Sequence, residues 1–189
     1  MKKIVLLFVM TVAIVTGSYA QRLIPGQRGL QLSVGVPITE NNLFGNQNFV
    51  YGMAITINHK RANHWLFGLE YSKKNFSYRT TQIPAETFSF EGGYMLNLFS
   101  DARKNVLLNT GITGVVGYET INRDEKLLYD GATLLENDHF LYGGAYHLAL
   151  DAFVTDHLVL FVKGKCSVIW NSDVEMFRPS LQTGVRIIF

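Results

Sequence analysis

The chain has 189 residues, 48% hydrophobic, 13% aromatic and only 17% charged; the charged share lies well below the roughly 25% of ordinary soluble domains, and the composition excludes intrinsic disorder. Lys and Arg number 17 against 15 Asp and Glu, and two of those bases, Lys2 and Lys3, fall in a leader, so the rest is formally neutral and lacks the basic excess of a general nucleic-acid binder. A single cysteine, Cys166, excludes an internal disulfide.

Lys2 and Lys3, the apolar run Ile4 to Val15 and small residues up to Ala20 have the layout of a secretory signal. Residues 1–20 are expected to be removed, leaving one domain over 21–189, about 170 residues long. No Cys follows Ser18-Tyr19-Ala20, so no acyl anchor is expected. Beyond the leader no apolar run approaches the roughly 18 residues that a spanning helix needs.

Alternation with a period of two dominates residues 21–189, which predicts strands. Leu30, Leu32, Val34 and Val36 alternate with Gln31, Ser33 and Gly35; Tyr51, Met53, Ile55 and Ile57 with Gly52, Ala54 and Thr56. Trp65, Phe67, Leu69 and Tyr71 oppose Leu66, Gly68, Glu70 and Ser72, and Phe88, Phe90, Tyr94, Leu96 and Leu98 oppose Ser89, Glu91, Gly93, Met95 and Asn97. A fifth segment sets Leu108, Thr110, Ile112, Val116 and Tyr118 against Asn109, Gly111, Thr113, Gly117 and Glu119; a sixth sets Phe140, Tyr142, Tyr146, Leu148 and Leu150 against Gly143, Ala145, His147, Ala149 and Asp151. Leu160, Val162, Cys166, Val168 and Trp170 oppose Lys163, Lys165 and Ser167, and Leu181, Val185, Ile187 and Phe189 oppose Gln182, Gly184 and Arg186. Eight strands are predicted.

Their connections alternate in length. Pro37 to Asn48, Lys73 to Ile83, Ile121 to Asp138 and Asn171 to Pro179 read as long loops, and His59 to Asn63, Ser100 to Asn105 and Val154 to His157 as short turns. Four long loops at one end and three tight turns at the other match an all-β, eight-stranded, antiparallel up-and-down transmembrane β-barrel with its long loops at the extracellular end. A soluble lipocalin-like barrel also alternates, but its water-facing side would carry Lys, Glu and Thr freely. Here the face opposite the apolar one is mostly Gly, Ala and Ser, which suits the cramped lumen of an eight-stranded barrel and leaves the apolar face for lipid. Tyr51, Trp65, Tyr71, Phe88, Tyr118, Phe140, Tyr142, Trp170 and Phe189 fall near strand ends, where interfacial girdles lie. The final strand closes on Phe189, which is read as an assembly signal for the barrel-insertion machinery.

The lumen face also carries charge. Glu70, Glu91 and Asp151 on strands three, four and six and Lys163, Lys165 and Arg186 on strands seven and eight balance, and strands three and four stand across from seven and eight. Ion pairs are therefore expected to plug a polar lumen, Glu70, Glu91 and Lys165 in one layer and Asp151 with Arg186 in another nearer the short turns.

A lipid-modifying hydrolase or acyltransferase is the rival chemical reading, and it needs a nucleophile, a His and a carboxylate in contact. His147 and Asp151 share a face, but four residues of strand hold them roughly 13 Å apart. Ser167 on the next strand leaves room only for a chance contact with His147, so no catalytic residue is assigned. His59, His64, His157 and His139 lack the spacing of a metal site and read as solvated. Neither a cofactor nor a metal is expected, and Gly92-Gly93 and Gly143-Gly144, mid-strand without a following helix, read as barrel curvature rather than phosphate loops. Lys73, Lys74 and Arg79 could meet glycolipid phosphates but read more simply as a solvated loop top. The third long loop carries apolar Leu127, Leu128, Tyr129, Leu134 and Leu135 beside Asp130, which a solvated loop has no reason to hold; it is the candidate partner surface.

The segments Trp65-Leu66-Phe67-Gly68-Leu69-Glu70-Tyr71, Glu91-Gly92-Gly93-Tyr94, Gly117-Tyr118-Glu119, Leu127-Leu128-Tyr129-Asp130-Gly131-Ala132-Thr133-Leu134 and Tyr142-Gly143-Gly144 resemble the TraO family of conjugative-transposon transfer proteins through the whole mature chain, most specifically over Tyr129 to Leu134. The resemblance implies an outer-membrane component of a DNA-transfer apparatus in Gram-negative cells, with membrane lipid and other apparatus proteins as partners. It brings no catalytic or ligand-binding residues. A narrow plugged barrel suits a scaffold, docking or surface-contact role rather than a pore, with no direct nucleic-acid binding. The alternatives are a general surface or adhesive barrel and, further off, the lipid-modifying enzyme.

Overall fold

The computed structural model describes residues 23–38, 48–78, 81–121, 138–172 and 175–189. Eight strands, β1 (Arg28–Pro37), β2 (Phe49–Asn58), β3 (His64–Tyr78), β4 (Thr81–Ser100), β5 (Val106–Ile121), β6 (Asp138–Phe153), β7 (Leu158–Trp170) and β8 (Phe177–Ile188), run antiparallel in chain order and close into a barrel when β8 pairs with β1. The chain meanders from neighbour to neighbour, so every strand finds its partners without a crossover. The described residues include no α-helix, only one 3-10 turn at Lys60–Ala62.

The period of two becomes the two faces of the wall. In β7, Val159, Phe161, Lys163, Lys165, Ser167 and Ile169 are buried in the lumen, while Leu160, Val162 and Trp170 are about half exposed on the outside. The same alternation places Ile112, 71% exposed, and Phe140, 61% exposed, on an exterior that is apolar all round. Closure also explains the small inward residues. A Cβ at Gly184 would run into the Leu32 carbonyl oxygen of β1, and one at Gly143 into that of Val168 on β7. In the Gly143-Gly144 pair only the inward member is fixed by this crowding: a Cβ at the outward Gly144 meets nothing nearer than 3.6 Å, whereas one at the outward Gly92 would press on the Phe67 ring at 3.3 Å.

Two expectations change. The segment Lys73 to Ile83 is not a long loop: β3 and β4 stay paired from Lys73↔Glu86 to Tyr78↔Thr81, and the connection shrinks to residues 79–80. Backbone pairing needs no apolar alternation, so the ladder runs on after the apolar pattern has stopped. Likewise β8 begins at Phe177, inside the segment expected to be loop. The connections between β1 and β2, β5 and β6, and β7 and β8 remain the longer ones, all at the same end.

Candidate functional site

The side chains aimed into the barrel form a column of layers, beginning at the short-turn end. There Leu107, Phe153, Val159 and Ile188 bury one another, with Leu23 and Ala62 packed against them. This apolar stopper lies below the first charges.

Above it Arg186 Nη1 donates to Asp151 Oδ2 at 2.9 Å, joining β8 to β6. Asn109 Nδ2 donates to the same oxygen at 2.9 Å, and Gln31 Oε1 accepts from Arg186 Nε at 3.2 Å and Nη2 at 3.0 Å. Asp151 has no exposed surface, so removing its counter-ion would strand a charge in a medium that solvates it poorly.

The next layer joins β7 to β3 and β4. Lys165 Nζ lies 2.9 Å from Glu70 Oε1 and 2.8 Å from Glu91 Oε2, and Lys163 Nζ lies 3.8 Å from Glu91 Oε1. Glu91 therefore meets β7 and not β8, the strand opposite it in the ring, because the two lysine side chains lean across the lumen. Gln182 Nε2 donates to Glu70 Oε2 at 2.8 Å, and its Oε1 accepts from Ser33 Oγ at 3.1 Å. His147 Nε2 lies 2.8 Å from Thr113 Oγ1 and 3.7 Å from Glu91 Oε2. Two acids and two lysines thus offset one another inside the barrel.

Beyond this layer is a cavity of about 70 Å³ floored by Glu70 and Lys165, with Ser72, Thr87, Ser89, Ser167 and Ser180 among its polar walls, room for on the order of five waters. Toward the long-loop end Arg178 Nη2 donates to Glu119 Oε2 at 2.6 Å and Nη1 donates to Thr87 Oγ1 at 3.1 Å. Ser172 Oγ donates to Glu119 Oε1 at 2.9 Å. Lys74 Nζ pairs with Glu175 Oε2.

The histidine and serine of the enzyme reading are held apart from Asp151. His147 is in the Glu91 layer, Asp151 in the Arg186 layer, and Ser167 stands on the cavity wall, in register with Ala145. Thr113 and Glu91 both approach the same nitrogen of His147, whereas a relay to a nucleophile uses the two ring nitrogens separately. Among the described residues no cluster of His, Cys, Asp and Glu could hold a metal ion.

Other assignments shift. His64, read as solvated, is 3% exposed because it opens β3 on its inward face, whereas His59 Nδ1 lies 3.0 Å from Tyr94 Oη. Lys73 faces Glu86 at 3.8 Å, so with Lys74 it sits in ion pairs rather than on a free loop top. Arg79, the residues Leu127, Leu128, Tyr129, Asp130, Leu134 and Leu135 of the candidate partner loop and the leader 1–20 lie outside the described residues. Phe189 is 69% exposed, and its backbone N donates to Arg28 O at 2.9 Å across the β8–β1 seam.

Sequence reasoning missed the Glu119–Arg178 layer and the apolar stopper. The stopper had a signal: Val106-Leu107-Leu108, Leu158 to Val162 and Ile187-Ile188-Phe189 are apolar on both faces, which at one end of a barrel means that the lumen side is apolar too.

A closed ring of eight strands, apolar outside and filled within, defines the class of small barrels built like those of bacterial outer membranes. The attachment invasion locus protein Ail of Yersinia pestis has this fold, with a TM-score of 0.56 at 9% identity over 88% of this chain and 100% of that one. So does Neisserial surface protein A, NspA, with a TM-score of 0.57 at 14% identity over 87% and 97%. No curated protein is significantly similar in sequence. Residues 24–189 match the family described as conjugative transposon protein TraO, and the chain belongs to that family.

Proposed function

We propose that the protein is exported across the inner membrane, loses residues 1–20 and resides in the outer membrane of a Gram-negative donor cell as a component of the conjugative-transposon transfer apparatus. There it acts as a scaffold, docking or surface-contact protein and neither as a pore nor as an enzyme. Family membership supports the link to conjugation. The apolar exterior supports a lipid setting, since soluble monomers rarely expose apolar patches beyond a few hundred Å². The single observation that carries the non-pore role is the bridging of Glu70 and Glu91 by Lys165, above a lumen stoppered by Leu107, Phe153, Val159 and Ile188. No DNA strand could pass such a column without unfolding it. Contact with other apparatus proteins would fall to the loops, foremost the segment with Leu127 to Leu135.

The test is an in-frame deletion in the donor, complemented by a tagged copy. Transfer should collapse and be restored, and the tagged protein should fractionate with outer membranes and bring other transfer proteins down with it. Transfer at the parental rate from the deletion strain would remove the conjugative role, and recovery as a soluble monomer without detergent would remove the membrane one.

A further inference from the structure

The rim at the short-turn end carries charge that neither the lumen nor a loop-mediated docking role uses. The β2–β3 turn presents Lys60 and Arg61, the β4–β5 turn Arg103 and Lys104, and Arg28 opens β1; all five are exposed. None is engaged by a carboxylate among the described residues. The acidic side chains described on this rim are Asp101 and Asp156, so positive charge is in excess.

Both basic turns lie on one arc. Asn63 Oδ1, in the first turn, accepts from Asn97 N at 2.9 Å, and Asn97 Nδ2 donates to Asn109 Oδ1 on β5 at 3.0 Å. At that point the β4–β5 register slips between Asn97 and Phe99. A bulge breaks the in-and-out alternation, and Leu98 and Phe99 are consequently both turned outward, 58% and 66% exposed. On the same arc Trp65 packs edge-on against Tyr94 with ring centroids 4.8 Å apart. Aromatic side chains with a polar tip settle where hydrocarbon gives way to headgroups. The four turn bases stand four or five residues from Trp65 or Phe99, at most about 17 Å along the chain, and their long side chains shorten that gap.

We propose that this arc binds anionic phospholipid headgroups, of the phosphatidylglycerol type, in the leaflet at the short-turn end. Leu98 and Phe99 enter the acyl layer while Lys60, Arg61, Arg103 and Lys104 meet the phosphates. An acidic protein segment would also satisfy the charge, but it would leave unused the two apolar side chains exposed beside it. The inference rests on the reading of the chain as a membrane barrel.

The test folds the full mature chain into nanodiscs of phosphatidylcholine and phosphatidylglycerol in equal parts, extracts it in mild detergent and measures the lipid retained. The wild type should retain phosphatidylglycerol in preference. Lys60→Gln/Arg61→Gln/Arg103→Gln/Lys104→Gln should lower that preference at least about fivefold, whereas Lys73→Gln, at the opposite end, should leave it unchanged. If the fourfold variant fails to give a folded barrel on a gel, the Lys60→Gln/Arg61→Gln and Arg103→Gln/Lys104→Gln pairs carry the comparison. A folded wild type that retains both lipids equally overturns the proposal and leaves the membrane reading standing; a chain that folds into no bilayer overturns both. Binding of a polyglutamate peptide without any preference for phosphatidylglycerol assigns the rim to an acidic protein instead.

Discussion

Lys165 Nζ lies 2.8 Å from Glu91 Oε2, so a base on β7 and an acid on β4 meet in the middle of the barrel. Both side chains are almost wholly buried, 2% and 4% exposed. With Glu70 held by the same ammonium, one lysine ties three strands together across the lumen.

Removing that lysine should therefore be severe. Breaking a buried pair from one side costs about 3 to 5 kcal/mol, because the partner charge is left behind. Lys165→Ala takes the nearest cation from two carboxylates, leaving Glu91 only Lys163 at 3.8 Å and Glu70 only the Gln182 amide, and should lower the urea midpoint of the detergent-folded protein accordingly. Lys73→Ala loosens only the 3.8 Å contact with Glu86, whose side chain is 30% exposed, and should cost less than about 1 kcal/mol. Equal losses in the two variants would show that the lumen network does not hold the barrel.

The close-approach glycines make a second, purely steric prediction. Gly184→Ala forces a methyl group into the Leu32 carbonyl of β1 at the closing seam, and the folded yield should fall steeply. Gly144→Ala places the same methyl outside, 3.6 Å from the nearest atom, and should be nearly neutral. A gel assay separating folded from unfolded barrel compares them directly; an intact Gly184→Ala barrel would mean that the β1–β8 seam has room for a methyl group.

The sequence is legible where a strand crosses the apolar belt, because there the environment differs on its two faces and the residues record it: Leu160 and Val162 outside, Lys163 and Lys165 inside. Beyond the belt that difference fades. Lys73 to Asn75 and Thr81 to Pro84 therefore look like loop although they are paired, and Arg178 lies in a segment expected to be loop, which hides its bond to Glu119. Charges can be assigned to the lumen from their positions in the alternation, but not their partners, because strand tilt and side-chain reach decide whether Glu91 meets β7 or β8.

Phe189 should matter to assembly more than to the finished barrel. Its ring is exposed, while its backbone closes the β8–β1 seam at Arg28. Deleting Phe189, or Phe189→Asp, should lower the amount of protein assembled in outer membranes; unchanged levels would show that the terminal aromatic carries no insertion signal.

The segment Leu127 to Leu135 is the place to separate folding from function. Long loops tolerate shortening, and partner contacts concentrate on them. Removing part of it should reduce transfer while the barrel still folds. Parental transfer frequency with an intact barrel would exclude this loop as the partner surface.

Conductance across a planar bilayer tests most directly whether the lumen is closed by its apolar stopper and its two ion-pair layers. The intact protein should insert without producing any steady open level, since the apolar stopper and the Lys165 and Arg186 layers leave no continuous water path. A stable, wide conductance from the folded wild-type barrel would mean an open lumen.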